Sequence, residues 1–338
     1  MPLLPVVMAG FLAAASAQTP PLFQTGEPLV FELRTDLRAL FRDRSEKRVE
    51  YPGTLRFSAG GGVDTGSVKV QLRTRGVFRL RLCSFPPIRV DLPARRVAHT
   101  SFAGQDKLKL VTHCRGDRSS ERNLLKEYAL YRVFNAVTDS SFRVRLAHIT
   151  YVDTTRADTV TRYGFFIESD EALAQRLSTV ALEVDKVHDA TTNAPYMTLV
   201  AVFQYLIGNT DWSVWGRHNI AILRDTLGSR GILAVPYDFD FSGAVNAPYA
   251  VPAEQLPIKS VRERWYRGFC QPDTVLSGAI ARLRAAKDSI YAAVRAVPGL
   301  PEGDAKSLLG YFDGFFRDID DRGTLQRDLA RRCRAISQ

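Results

Sequence analysis

The segment Gly208–Asn219, G-N-T-D-W-S-V-W-G-R-H-N, carries a carboxylate (Asp211), two indoles (Trp212 and Trp215), an imidazole (His218) and an amide (Asn219). Further on, V-P-Y-D-F-D-F-S-G adds Asp238 and Asp240 behind an apolar run. A loop that only turns is built from Gly, Pro, Ser and Asp. Asn and Asp side chains also supply the hard oxygens that Mg²⁺ prefers, and a loop Asp beside a hydroxyl can orient it and take its proton. Taken singly, Asp211 reads as a loop cap and Asp238 as the partner of a nearby Arg. Taken together, in this order and flanked by apolar strands, they point to metal and nucleotide chemistry.

Upstream residues extend the pattern. A strand at Asp106–Cys114 carries Lys107 and Lys109, a helix carries Glu127, and a strand ends at Glu168. Basic strand, acidic helix, loop Asp, Asn and a second Asp is the order of parts in phosphoryl-transfer enzymes of the protein-kinase type. Each part also has a plain reading. Lys109 alternates with Leu108 and Leu110 and shares a face with Lys107, which suits a solvated strand face. Glu127 follows Lys126 on a helix and fits an exposed pair four residues apart. Glu168 closes a strand, where its backbone counts for more than its carboxylate.

The two motifs Y-L-I-G-N-T-D-W-S-V-W-G-R-H-N-I-A-I-L and A-V-P-Y-D-F-D-F-S-G resemble the CotH spore-coat kinase family, and more distantly the HipA-type kinases. R-T-R-G-V-F-R with P-P-I-R-V-D-L is similar to the CotH-type R-x-R-G stretch and the strand after it. The resemblance implies an α+β, two-lobed, atypical protein-kinase-like fold with a β-rich N-lobe and a mainly helical C-lobe. It implies ATP as substrate with Mg²⁺ or Mn²⁺ as cofactor, Asp211 as catalytic residue, and Asn219, Asp238 and Asp240 at the metal. Arg75, Lys109, Glu127 and Glu168 would serve nucleotide binding. There are departures. Asn219 follows Asp211 by eight residues where the kinase and HipA-type loops use five, so three extra residues must bulge, with Trp212 or Trp215 beneath. His218 stands where HipA-type loops have Lys. No G-x-G-x-x-G is present, so Gly76 would have to serve, with Arg75 or Arg79 on the phosphates.

The elements around these residues are read from periodicity. Gly66–Leu92 alternates with period two and reads as a hairpin or meander turning at Gly76 and Pro86–Pro87. Ser119–Asp139 has helical spacing with a Ser start signal. Two strands lead to Glu168. Beyond it, D-E-A-L-A-Q-R-L and A-P-Y-M-T-L-V-A-V-F-Q-Y-L-I-G read as helices, the second apolar all round and therefore buried. Two short strands and long C-terminal helices follow. This divides the chain into a β-rich part, residues 18–168, and a helical part, residues 169–338.

Composition sets the outer bounds. The 338 residues are 45% hydrophobic and 24% charged, an ordinary globular make-up. The formal charge of +10 is spread along the chain, which suits a phosphorylated ligand better than nucleic acid; Phe78 and Phe85 are thin support for a nucleic-acid face. Residues 1–17 are an apolar run ending Ala15-Ser16-Ala17, which reads as a secretory signal cleaved before Gln18, although no Lys or Arg precedes it. No other segment is a membrane-span candidate, so a periplasmic or extracellular location is expected. Four cysteines in an exported chain suggest two disulfides. Of the three pairings, one staple per half, Cys83–Cys114 and Cys270–Cys333, is preferred. Zinc and serine-hydrolase chemistry are disfavoured, since neither C-x-x-C nor G-x-S-x-G occurs. The expected activity is metal-dependent phosphoryl transfer from ATP to a hydroxyl of a surface or secreted protein. The alternative is a non-catalytic, pseudokinase-like envelope scaffold or binding protein.

Overall fold

The computed structural model describes residues 19–57, 66–156, 158–226, 228 and 230–335. The apolar leader and its cleavage motif lie outside them. Strand β1 (Leu29–Thr35) buries alternate residues Leu29, Phe31, Leu33 and Thr35, the period of a half-buried strand. Asp36 then caps the short helix α1 (Leu37–Arg42), accepting from Ala39 N at 2.8 Å. Strands β2 (Tyr51–Phe57) and β3 (Gly66–Thr74) continue antiparallel. Helix α2 (Phe78–Leu82) separates β3 from its partner β4 (Ile88–Asp91), and α3 (Ala94–Val97) precedes β5 (Lys107–Val111). After helix α4 (Arg118–Val137), β6 (Val144–Asp153) and β7 (Thr159–Ile167) form a long antiparallel pair, with β7 also bonded to β5. Parallel pairing of β1 with β6, from Leu29 opposite Ala147 to Thr35 opposite Asp153, completes the ring.

The expected two-lobed, protein-kinase-like fold is therefore not what the chain forms. Seven strands close into a mixed barrel of order β1-β2-β3-β4-β5-β7-β6, accompanied by ten α-helices among the described residues. Closure removes both free edges of the sheet. It surrounds a core that includes Leu33, Leu55, Leu72, Val90, Leu110, Ile149 and Phe166. The meander expected over Gly66–Leu92 also needs correction. Its middle, Phe78–Leu82, is helical, and the neighbours Arg79 and Leu80 are both buried. The Arg–Leu alternation imitates strand periodicity only if Arg79 faces water, and it does not.

The rest of the chain builds a second core. Helix α5 (Asp170–Arg176) leads to β8 (Thr179–Ala181), which joins β9 (Ile220–Asp225) and β10 (Ile232–Pro236) in a small antiparallel sheet. Helix α6 (Ala194–Ile207) is buried around nearly its whole circumference, as its uninterrupted apolar sequence requires. Helices α7 (Asp273–Ala285) and α9 (Glu302–Asp320) pack against it, α8 (Lys287–Arg295) packs against α4, and α10 (Arg322–Leu325) follows α9. The expected long C-terminal helix breaks at Asp321, which caps α10 through Thr324 N. Helix α4 turns Leu124, Leu125, Tyr128 and Phe134 into this core, with Phe134 stacked on Phe203 at 4.2 Å. Disulfides join Cys83 to Cys114 and Cys270 to Cys333, the expected pairs. No helix among the described residues is long and apolar enough to cross a membrane.

Gly208 ends α6 in the left-handed region, φ +64°, and its N–H closes onto the Gln204 and Tyr205 carbonyls. A Cβ there would overlap the Tyr311 hydroxyl. Backbone strain and overpacking act together, so Gly208→Ala is expected to lower the unfolding free energy by about 2–4 kcal/mol. A urea denaturation midpoint equal to wild type would contradict this.

Candidate functional site

The cap at Gly208 turns the chain out of α6 into the loop that carries Asp211 and Asn219. Asn209 Oδ1 accepts from Asp211 N at 3.0 Å and fixes the start of the turn. The three residues in excess of a kinase-type loop are absorbed in a small hairpin. Ser213 and His218 exchange backbone hydrogen bonds of 3.0 and 2.9 Å, with Gly216 at the turn bonded to Ser213 Oγ. Trp212 is buried beneath this hairpin, while Trp215 stays on the surface, 43% exposed, edge-on to His188. Arg267 donates to the Thr210 and Trp212 carbonyls and ties the loop to the segment before α7. The hairpin thus returns Asn219 to Asp211. Asn219 Nδ2 donates to the Asp211 carbonyl at 2.8 Å and to Asp211 Oδ2 at 3.0 Å, and His218 Nε2 lies 2.8 Å from Asp211 Oδ1. The hydrogen bond to Asp211 is the main reason that His218 titrates above its ordinary range.

Asn219 and Asp238 bracket the β9–β10 hairpin, and both adopt left-handed backbone, φ +55° and +62°. Asn and Asp tolerate this conformation better than other side-chain-bearing residues, and such strain gathers at functional sites. Tyr237 N donates to the Asn219 carbonyl, and Asp238 N donates to the Tyr131 hydroxyl of α4 at 2.8 Å.

The electrostatic centre is Arg79 on α2. Its Nη2 is 2.6 Å from Glu127 Oε2 and 3.3 Å from Asp238 Oδ1, and its Nε donates to Asp240 Oδ2 at 2.8 Å. The Tyr249 hydroxyl donates to the same Asp240 oxygen. One buried guanidinium therefore gathers carboxylates from α4 and from the loop after β10. Burial pushes the Glu127 carboxyl up to about 8, with Arg79 opposing and Asp240 reinforcing the rise. Asp238 is pushed up to about 6, by burial of its surroundings first and Asp240 next, against Arg79 and Arg75. Its side chain is nevertheless 43% exposed, because it faces a cavity.

That cavity, about 500 Å³, is lined by Arg75, Lys109, Asp211, Asn219, Asp238 and Asp240, with Arg217 and His218 beside them. Pro87, Val111, Phe142 and Ile167 supply an apolar wall. Six of the sequence-selected residues thus meet in one place. Two others do different work. Glu127 lies behind Arg79, outside this cavity, and bonds Arg79 instead of a lysine. Glu168 is fully buried, held bidentately by Arg176 at 2.8 and 2.9 Å and bonded to Arg143 N. Lys109 pairs with Asp170 at 2.8 Å and lies 5.5 Å over the Tyr237 ring.

No protein-family model and no curated protein matches the chain. Among the described residues no cluster of three or more His, Cys, Asp or Glu is arranged for a metal. Asp240 is spoken for by Arg79 and Tyr249. Asn219 spends its Nδ2 on Asp211, and Asp238 faces the cavity. The Asn219 amide oxygen and the Asp238 carboxyl, which also meets Arg79, are the hard oxygen donors left at the cavity wall. Sequence reasoning missed the central role of Arg79 and the hydroxyls of Tyr131 and Tyr249. The signal available was R-T-R-G-V-F-R, which places two arginines four apart around Gly76.

Removing the Arg79 guanidinium leaves three carboxylates without their common partner. Arg79→Met is expected to cost about 3–5 kcal/mol in unfolding free energy, the range for breaking a buried ion pair from one side. The pH sign follows from the raised carboxyls. The folded state holds protons on Glu127 and Asp238 that the unfolded chain has released, so their contribution to stability falls as pH rises from about 4 to 8. Glu127→Gln should therefore lose less Tm than wild type between pH 5 and pH 8. Parallel Tm–pH curves would refute the assignment.

Proposed function

We propose that the chain catalyses phosphoryl transfer from a nucleoside triphosphate, with ATP as the expected donor, to a hydroxyl of a surface or secreted protein. The resemblance to CotH-like kinases and an exported location belong to this reading; the first rests on the Asp211 and Asp238 motifs, and the two disulfides are compatible with the second. The observation that supports it best is the convergence of Asp211, Asn219 and Asp238 with the cations Arg75, Lys109 and Arg217 on one cavity that also has an apolar wall. Such a cavity matches the parts of a nucleotide: a flat apolar base and a polyanionic tail.

In this reading the apolar wall takes the base, and Arg75, Lys109 and Arg217 neutralise the phosphates. Asp211, fixed by His218 and Asn219, presents its carboxylate to the acceptor hydroxyl and orients or accepts its proton. Asn219 and Asp238 would hold Mg²⁺ or Mn²⁺, which when bound supplies positive charge at the phosphate oxygens. The hinge-like fixing of the Asp211 loop by Gly208 and Arg267 keeps that carboxylate in place without a ligand.

A second reading, a binding protein without turnover, has one specific observation in its favour. Both Asp211 oxygens are already hydrogen-bonded within the chain.

The decisive measurement is a thermal-shift titration of the oxidised protein with ATP, with and without Mg²⁺ or Mn²⁺. A ligand at 100 times its Kd adds about 2.7 kcal/mol of stability. A metal-dependent rise in Tm, absent in Asp238→Ala, is expected. No rise at millimolar ATP with either metal would end the ATP reading. A rise without any phosphate transfer, to water or to added protein, would favour the binding protein.

A further inference from the structure

A second cavity, about 400 Å³, lies on the far side of Arg79 and Asp240, which line both spaces. Its remaining wall comes from Leu82 at the end of α2, Thr112, Cys114 and Arg115 after β5, the first turns of α4, and Pro248 with Tyr249. The volume falls within the range of small-molecule sites.

Apart from Arg115, the charges of this lining are closed on themselves. Arg79 is matched by Glu127 and Asp240. The Asp117 carboxylate is taken up as the cap of α4, accepting from Ser120 N and from the hydroxyls of Ser119 and Ser120. Asp240 also accepts from Tyr249. A phosphate would therefore find Arg115 as its only uncommitted cation and three carboxylates nearby, and an ammonium would find those carboxylates already bonded. What the lining offers is neutral and bifunctional. The Asn123 amide makes no hydrogen bond among the described residues. The Ser119 and Ser120 hydroxyls donate to Asp117, and the Thr112 hydroxyl donates to the Phe85 carbonyl, so each can still accept. Leu82, Leu124, Pro248 and the Tyr249 ring form the apolar part of the wall.

Planar amide and guanidinium groups beside hydroxyls, facing an apolar and aromatic surface, suit a ligand whose own hydroxyls each donate and accept. We propose that this second cavity binds a neutral polyhydroxylated ligand, a mono- or disaccharide or a comparable polyol. The two cavities share Arg79 and Asp240, but Asn123 lines only this one and Lys109 only the other, so the two sites can be tested separately.

The test is saturation-transfer NMR and thermal-shift titration of the oxidised protein. The probes are glucose, galactose, mannose, N-acetylglucosamine and maltose, with inorganic phosphate and 1,5-diaminopentane as the charged alternatives. Saturable binding of at least one sugar is expected, weakened tenfold or more by Asn123→Leu and unchanged by Lys109→Met, at a residue that lines only the first cavity and lies outside the Arg79 cluster. Asn123 is only half-buried on the surface of α4, and the Tm of its variant without ligand reports on folding. Should the variant not fold, Arg115→Ala, at an exposed position, takes its place with the same expected loss. Four results would overturn the proposal: no binding by any sugar of the panel, phosphate or the diamine binding in their place, sugar binding untouched by the substitution, or sugar binding lost in Lys109→Met. Failure of the ATP titration would leave this outcome unaffected.

Discussion

Arg79 is the constraint on which the site depends. Its guanidinium is bonded at once to Glu127 of α4 and to Asp238 and Asp240 after β10, segments separated from it by 48 to 161 positions in the chain. A buried cation of this kind is costly unless every partner is in place, and three buried or crowded acids are equally costly without it. The cluster is therefore all-or-none: α2 sits where it does because α4 and the β10 loop supply the carboxylates. The loop presents Asp238 to the cavity because Arg79 and Tyr131 hold it from behind. The barrel and the helical core are joined through this charge cluster as well as through apolar contact.

The fold was only partly legible in the sequence. Strands such as β6 and β7, and helices α4 and α6, fall where the apolar pattern of the sequence puts them. Closure of the barrel does not show locally. It rests on β1, a seven-residue strand, pairing in parallel with β6 more than a hundred residues later. No spacing rule within a short window registers such a pairing, and without it the strands look like an open lobe. Helix α2 was hidden for a different reason. Its arginines alternate with leucines as on a strand, and the buried destination of Arg79 depends on acids that are remote in sequence.

The candidate site shows the same division. Asp211, Asn219 and Asp238 were legible because polar residues interrupt apolar runs at loop positions, where packing does not ask for them. The longer spacing between Asp211 and Asn219 is explained by a hairpin that costs the site nothing, since Asn219 still reaches Asp211. Glu127 and Glu168 were legible as notable acids, but their partners were not. Both are met by arginines, Arg79 and Arg176, instead of the lysine that an order-of-parts argument supplies. Partner choice among buried ions is a matter of three-dimensional reach, and a linear string ranks Lys and Arg alike.

The Cys83–Cys114 bond closes a 31-residue span, from the residue that ends α2 to the turn that enters α4. It therefore staples together the two elements whose side chains form the Arg79–Glu127 pair, while the barrel core contains neither cysteine. This has a practical consequence for anyone preparing the protein. Material produced in a reducing cytoplasm can possess the barrel, pass for folded by its far-ultraviolet spectrum, and still lack a tethered α2. For this chain the oxidation state of a preparation has to be established by thiol counting before a blank ligand assay carries any meaning.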